Sequence, residues 1–191
     1  MLVLLAAGLV LLWAWRSRTP WRALGLVRDA RWPRTVLIGF LLGVALKLVM
    51  KILVMPLLGA PPVNAAYQFL VGNAAALPGM LFMVLVAAGF GEEVVFRGFL
   101  FERAGRWFGR SAAARTLTVL VSSALFALAH LGDQGIPGVQ QAAVTGLVFG
   151  SIYAVTGNLW LPIVAHAAFD LTAVGIIYGG LEARLAHLVI R

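Results

Sequence analysis

Six long apolar segments dominate the sequence and constrain what it can fold into. Each lacks the alternation of polar and apolar residues that a half-buried strand requires, and backbone polar groups in lipid must be satisfied within their own segment. The sequence therefore predicts an all-α fold, a polytopic transmembrane helix bundle of about six spans with a short C-terminal amphipathic segment. The segments lie at approximately 1–15, 35–59, 66–90 with a continuation to about 101, 116–131, 139–156 and 159–180.

Composition excludes several other classes of protein. Of the 191 residues, 62% are hydrophobic and only 12% are charged, whereas soluble domains carry about 25% charged residues. The net charge of +8 comes from basic residues between apolar segments and not from a basic face with stacking aromatics, so we expect no nucleic-acid partner. The absence of cysteine excludes disulfides, thiolate metal sites and a cysteine nucleophile.

The basic residues also predict how the bundle is oriented. They follow the first and third segments, while 60–65 and 131–138, read as loops, contain no Lys or Arg. The positive-inside rule then places the N-terminus outside and the basic loops in the cytoplasm, and the first helix is predicted to be retained. We expect the membrane to be a bacterial or archaeal inner membrane. The tryptophans fall near the predicted cytoplasmic boundary of the membrane, as interfacial aromatic residues should. The residues concerned are Arg16, Arg18, Arg22, Arg28, Arg31, Arg34, Arg103, Arg106, Arg110 and Arg115, with Trp13, Trp15, Trp21, Trp32, Trp107 and Trp160.

Ionisable residues inside these segments are the candidates for function, because each costs about 3 kcal/mol to insert on translocon scales. Glu93 and Arg97 are spaced to form an i,i+4 ion pair, whereas Glu92 is rotated by about 100° and has no partner on its own helix. Lys47 and Lys51 have no acid at matching spacing; snorkelling or lipid phosphate binding would accommodate them. The full set is Lys47, Lys51, Glu92, Glu93, Arg97, His130, His166 and Asp170.

Two further i,i+4 pairs place histidines on separate helices: Phe126 with His130, and His166 with Asp170. At 1.5 Å per residue, Glu92, His130 and His166 lie about 16, 21 and 9 Å from the predicted cytoplasmic ends of their helices. Since the helix ends are defined only to within several residues, these depths are compatible with one level for all three side chains, in the cytoplasmic half of the bilayer. Carboxylates and imidazoles at one shielded level suit water activation and hydrolysis.

A catalytic zinc site is also compatible with this set, because two histidines and a glutamate form a known ligand arrangement. If zinc is used, the expected ligands are Glu92, His130 and His166. No cofactor is strictly required by the sequence.

Three motifs in this order resemble those of the CPBP family of intramembrane proteases, also called the Abi family. They are Glu92-Glu93-x-x-x-Arg97, Phe126-x-x-x-His130 and His166-x-x-x-Asp170. The family includes type II CAAX prenyl endopeptidases and bacterial relatives linked to bacteriocin self-immunity. The resemblance covers roughly residues 75–175 and implies three parts: N-terminal membrane helices at 1–65, a catalytic bundle at 66–180 and an amphipathic tail at 181–191.

The resemblance implies endoproteolysis of a membrane-embedded or lipidated peptide, and it implies a role for each motif residue. Glu92 and His130 would activate the water, and Glu93 with Arg97 would orient that centre. His166 and Asp170 would stabilise the oxyanion. An ionised Asp170 suits that role poorly, so two alternatives remain: Asp170 orients His166, or it carries a proton in a low-dielectric site. Glutamate-dependent and metal-dependent mechanisms are both compatible.

Other functions fit less well. A serine enzyme would need Ser151 with His166, and an aspartyl pair would need Asp133 with Asp170. Buried Glu and His also serve proton-coupled transporters, but no internal repeat is visible. A non-catalytic immunity or scaffold protein would tolerate loss of a motif residue, and none is lost.

Overall fold

The computed structural model of the protein describes residues 2–27, 31–109 and 111–189, and every regular element in those ranges is helical. The predicted all-α fold is confirmed. Short 3-10 turns lie at Trp21–Leu24 and Ala65–Leu70. The helices are α1 Leu2–Arg16, α2 Trp32–Leu57, α3 Ala74–Phe108, α4 Ala112–Ala129, α5 Leu131–Thr156, α6 Trp160–Tyr178 and α7 Glu182–Ala186.

Five of these helices, α2 to α6, are long and apolar enough to cross a membrane, and α1 is a shorter apolar helix of 15 residues. The chain is therefore an integral membrane protein. Arg28 and Arg110, which contribute to the predicted orientation, lie outside the described residues, as does the end of the predicted tail at 190–191. The orientation itself stays a prediction.

The third apolar segment is not one continuous helix from residue 66. The chain forms the separate 3-10 turn Ala65–Leu70, reverses at Gly72 with a φ of 63°, and only then begins α3. Gly72 tolerates this left-handed backbone because it has no Cβ. At its other end α3 runs on to Phe108, so Arg103 and Arg106 lie on the helix and not in a loop.

The prediction of a loop at 131–138 is wrong. Helix α5 begins at Leu131, directly after His130, and is interrupted at Gly135 with φ 61° and ψ −158°. Glycine and proline in this stretch indicate a loop when each is read alone. Here Gly135 absorbs the non-helical backbone, and Pro137 lies near the start of the next helical stretch, where a missing N–H costs little.

Close helix contacts depend on small residues, as the Gly39/Gly43 and Gly146/Gly150 spacings predict. A Cβ added at Gly43 on α2 would overlap the Ala165 carbonyl oxygen and lie 2.8 Å from the Ala168 Cβ on α6. A Cβ at Gly146 on α5 would lie 3.1 Å from the Ser123 Cβ on α4. These contacts hold α2 along α6 and α4 along α5.

Helix α3 carries the paired glutamates in widened turns. Its backbone has π-helical geometry over Met83–Glu92 and again over Val94–Phe99. Such turns are rare and concentrate at functional sites because they re-aim side chains relative to an α-helix. Glu93 lies at the junction of the two widened stretches.

Candidate active site within the bundle

Glu93 on α3 is the centre of a fully buried ion-pair network. Its Oε1 accepts hydrogen bonds from Arg97 Nη1 at 2.8 Å and from His166 Nδ1 on α6 at 2.8 Å. The side chains of Glu93 and Arg97 are both 0% exposed. The predicted i,i+4 pair is confirmed, and it also fixes a histidine from another helix.

Arg97 on α3 contacts two other helices, α4 and α5. Its Nη2 donates to the Gly146 carbonyl oxygen on α5 at 3.4 Å. Its guanidinium lies 4.4 Å from the ring centroid of Phe126 on α4 and 5.9 Å from that of Phe149 on α5. Cation–π contacts of this kind compensate for part of the desolvation of a buried arginine.

His166 presents its second nitrogen to two carboxylates. Nδ1 is engaged by Glu93, and because a carboxylate only accepts, Nδ1 carries the hydrogen. Nε2 lies 3.8 Å from Glu92 Oε2 and 3.5 Å from Asp170 Oδ2. Glu92 Oε2 is buried and has no hydrogen-bond partner among the described residues. The side chains of Glu92 and Asp170 are 19% and 24% exposed, whereas Glu93 is fully buried. The Nε2 side of His166 is therefore the more exposed side of the ring, and we call it the open side.

His130 lies at the junction of α4 and α5. Its Nδ1 donates to the Phe126 carbonyl oxygen at 2.8 Å, which leaves Nε2 free to accept a hydrogen bond. The ring packs on Phe126 with centroids 4.7 Å apart, and Phe126 in turn packs edge-on to His166 at 5.9 Å. His130 is close enough to interact electrostatically with Glu92 and Asp170.

The structure thus brings Glu92, Glu93, Arg97, His166 and Asp170 into one cluster, with His130 joined to it through Phe126. The roles that the resemblance implies for them stay predictions. The stretch Gly146-Leu-Val-Phe-Gly150 resembles the family's lead-in to its last His motif, but the sequence does not predict that Phe149 and the Gly146 carbonyl contact Arg97.

The predicted zinc ligands do not form a metal-binding set. In the described part of the chain, no group of three or more His, Asp and Glu side chains is arranged to hold a metal ion. Glu92 and His166 approach each other, but His130 does not join them as a third donor.

The two lysines of α2 have partners that the sequence did not predict. Buried Lys47 donates to Gln141 Oε1 at 3.0 Å and lies 4.7 Å from the ring centroid of Phe169, next to Asp170. Lys51 forms a salt bridge with Glu182 at 2.9 Å. No local spacing signal exists for either contact, because each joins residues far apart in the chain.

Comparison with known proteins agrees with the geometry. Residues 74–172 match the model of the family described as type II CAAX prenyl endopeptidase Rce1-like. The chain is 30% identical over 131 residues to the membrane-embedded CAAX protease MroQ of Staphylococcus aureus (strain USA300), covering 68% of this chain and 52% of that protein. It is 27% identical over 141 residues to an uncharacterized 24.3 kDa protein of Escherichia coli, covering 64% and 63%.

The chain spans only about half to two thirds of the length of these relatives. No solved structure gives a significant match. The family match nevertheless covers more than half of the chain and contains all three motifs of the cluster. On this basis, the chain belongs to the Rce1-like family of type II CAAX prenyl endopeptidases.

Proposed function

We propose that the protein is an intramembrane endopeptidase that hydrolyses a peptide bond with water activated by Glu92 and His130. One observation carries the proposal: His166 is oriented by buried Glu93, and its Nε2 faces the open side beside the unpartnered Glu92 Oε2. A positioned histidine next to a free carboxylate in a water-poor bundle is the arrangement that general acid–base hydrolysis requires.

In the first step, Glu92 accepts a proton from water while the water oxygen bonds to the peptide carbonyl carbon. His130 Nε2 accepts a hydrogen bond from the second O–H of the water, which stays on the attacking oxygen, and so orients the nucleophile. The π electron pair of the carbonyl moves onto its oxygen, which becomes an anion. His166, when doubly protonated, donates from Nε2 to this oxyanion while Nδ1 stays bound to Glu93.

In the second step, the tetrahedral species collapses. The carbonyl re-forms, the C–N bond breaks, and the leaving nitrogen takes the proton that Glu92 received. The products are a carboxylic acid and an amine, and Glu92 returns to its carboxylate form. One water molecule is consumed for each bond cleaved.

Glu93 and Arg97 act in this proposal as positioning residues. Both are fully buried and make no contact with the open side, so their contribution is to fix the ring plane and tautomer of His166. Asp170, whose Oδ2 lies 3.5 Å from Nε2, favours in its ionised form the protonated imidazole that donates to the oxyanion.

The proposed substrate is a membrane-embedded or lipidated peptide, because the site lies among helices that are exposed to lipid. The family description names prenylated CAAX substrates, in which the modified cysteine is fourth from the C-terminus. A CAAX peptide is therefore the first probe, and a bacteriocin leader or a C-terminal sorting segment is the next.

The test is cleavage in proteoliposomes by wild type, Glu92→Gln and His130→Ala. The probes are an internally quenched CAAX peptide with a farnesylated cysteine, the same peptide without the lipid, and an unmodified transmembrane peptide. We expect wild type to cleave at least one probe and each variant to be slower by about 10²- to 10⁴-fold.

Equal cleavage by wild type and both variants would overturn the mechanism. Each measurement is repeated after chelation and after zinc is added back. Cleavage that survives chelation supports the glutamate route, and cleavage that is lost and then restored by zinc contradicts it. Substrate-dependent proton flux without cleavage would favour the transporter reading.

A further inference from the structure

Tyr67 lies outside the three motifs and outside the matched region, in the 3-10 turn Ala65–Leu70 between α2 and α3. Its hydroxyl oxygen accepts a hydrogen bond from Gln134 Nε2 at 3.2 Å. No acceptor for its own proton is present among residues 2–27, 31–109 and 111–189. The phenolic O–H is therefore available to donate a hydrogen bond to a ligand.

Packing places Tyr67 near the candidate site, because the turn Ala65–Leu70 contacts α6, the helix that carries His166 and Asp170. Burial raises the pKa of the Tyr67 phenol, and the negative charges of Asp170, Asp133 and Glu92 raise it further, against a smaller lowering by the Gln134 hydrogen bond. The phenol is therefore a neutral O–H donor at physiological pH. It is also close enough to Asp170 and Glu92 for their charges to act on it.

Gln134 connects Tyr67 to the rest of the site. Its backbone N–H donates to the His130 carbonyl oxygen at 3.0 Å, so it lies one helical turn beyond the histidine that is proposed to orient the water. The break at Gly135 follows immediately. The side chain of Gln134 therefore links the start of α5 to the turn that carries Tyr67.

Glu182 of α7 holds that turn in place through Lys51, Asn64 and Gln68. We call these four residues the Glu182 clamp. Oε1 accepts from Lys51 Nζ at 2.9 Å and from the Asn64 backbone N–H at 3.2 Å, and Oε2 accepts from Gln68 Nε2 at 2.8 Å. Lys51 also donates to the Pro62 carbonyl oxygen at 2.7 Å. Charge-assisted bonds on both sides of Tyr67 fix the segment against the end of the bundle.

We propose that Tyr67 is a further substrate-contacting residue, whose hydroxyl donates a hydrogen bond to the peptide carbonyl oxygen as negative charge develops there. An ionised Asp170 has no proton to donate, so a second neutral donor beside His166 supplies what that aspartate does not. The Glu182 clamp and Gln134 hold the phenol in position. This inference rests on the proposed endopeptidase function.

The kinetic test compares Tyr67→Phe with Tyr178→Phe in proteoliposomes, on whichever of the three probe peptides the wild type cleaves. The control removes the same atom from another tyrosine, at the end of α6. We expect Tyr67→Phe to lower kcat by about 10- to 100-fold with little change in KM, because the bond strengthens in the transition state. Tyr178→Phe should match wild type, and both variants should unfold like wild type.

Wild-type kcat in Tyr67→Phe, with Glu92→Gln inactive, would overturn this inference and leave the proposed function intact. A rise in KM alone would also overturn it, since that change indicates uniform binding and not transition-state contact. Failure of the wild type to cleave any of the three peptides counts against the proposed function instead.

A second measurement does not need turnover. Alkaline titration followed by phenolate absorbance should contain a late ionisation step from Tyr67, and Tyr67→Phe should remove that step. Asp170→Asn and Glu92→Gln should each shift it to lower pH by removing a negative charge. Glu102→Gln, a change of the same charge at the other end of α3, should not. An unshifted step in both active-site variants would overturn the placement of Tyr67 at the site.

Discussion

Glu92 and Glu93 are adjacent in the sequence, yet their side chains have different surroundings. Glu93 is fully buried, and a single oxygen accepts from both Arg97 and His166. Glu92 is 19% exposed, and its Oε2 has no hydrogen-bond partner among the residues described. Glu93 is therefore fixed by its partners, and Glu92 is the glutamate that we propose reacts with water.

Substitution of Glu93 should lower the free energy of unfolding more than substitution of Glu92. Glu93→Ala leaves Arg97 as an uncompensated buried charge, so we expect it to lower the free energy of unfolding by about 3–5 kcal/mol. Glu92→Ala removes no direct ion pair of comparable quality and should change it by less than about 1 kcal/mol. Denaturant unfolding in detergent micelles measures both, and equal losses would contradict the assignment.

The same residues show how far the sequence alone predicts the site. The Glu93–Arg97 pair is local, so helical periodicity is sufficient to predict it. The contact of His166 with Glu93 joins residues 73 positions apart, and matching depths predict only that the two helices meet at a similar level. His166 bonds to Glu93 and not to Glu92, and the π-helical turns of α3 set the direction of both side chains. No periodic pattern in the sequence indicates those turns.

At the scale of elements, the contact between α2 and α6 places Lys47 beside the active-site helix. Gly39 and Gly43 allow the backbones to approach, and Lys47, one turn further along, lies over Phe169. The small-residue spacing predicts a close contact but not its partner, because many helices would accept such a surface.

Adding one methyl group at this contact should be costly. Gly43→Ala places a Cβ against the Ala165 carbonyl oxygen and the Ala168 Cβ, so we expect a loss of about 1–3 kcal/mol in unfolding free energy. Gly175→Ala on α6 meets no atom within 4 Å and is the matched control. Unfolding in micelles distinguishes them, and an equally stable Gly43→Ala would contradict the packing.

The Glu182 clamp should slow the local opening of residues 64–70. Glu182→Gln weakens the charge-assisted bonds to Lys51 and Asn64, so amide hydrogen exchange across residues 64–70 should accelerate by about 10-fold or more. Glu102→Gln removes a buried acid that pairs with Arg103 and Arg106 instead. Exchange at 64–70 should be unchanged in that control, and unchanged exchange in Glu182→Gln would contradict the clamp.

At the scale of the whole molecule, the segments that connect the helices lie at two opposite ends of the bundle. Trp32 packs on Trp160 with ring centroids 5.4 Å apart, and Arg103 lies 5.4 Å from the ring centroid of Trp13, so the basic and tryptophan-rich connections meet at one end. At the other, the Gly72 N–H donates to the Tyr178 carbonyl oxygen at 3.0 Å. The alternation of ends predicted from the loops agrees with these contacts.

Which end faces the cytoplasm is directly measurable, because the chain contains no cysteine. The positive-inside rule predicts that a cysteine at Ser17 is protected from a membrane-impermeant thiol reagent in sealed right-side-out vesicles. A cysteine at Pro61, at the other end, should react. Both should react once the vesicles are permeabilised. The reverse labelling pattern would contradict the predicted orientation.

The Glu182 clamp has a consequence for how this protein diverges from its relatives. Tyr67, Lys51 and Glu182 all lie outside residues 74–172, the region that matches the family model. Under the proposed function, these residues position the Tyr67 hydroxyl without being among the acid–base residues. An exchange of the flanking segments between relatives, with residues 74–172 kept intact, is therefore a route to altered turnover that leaves Glu92, His130 and His166 in place.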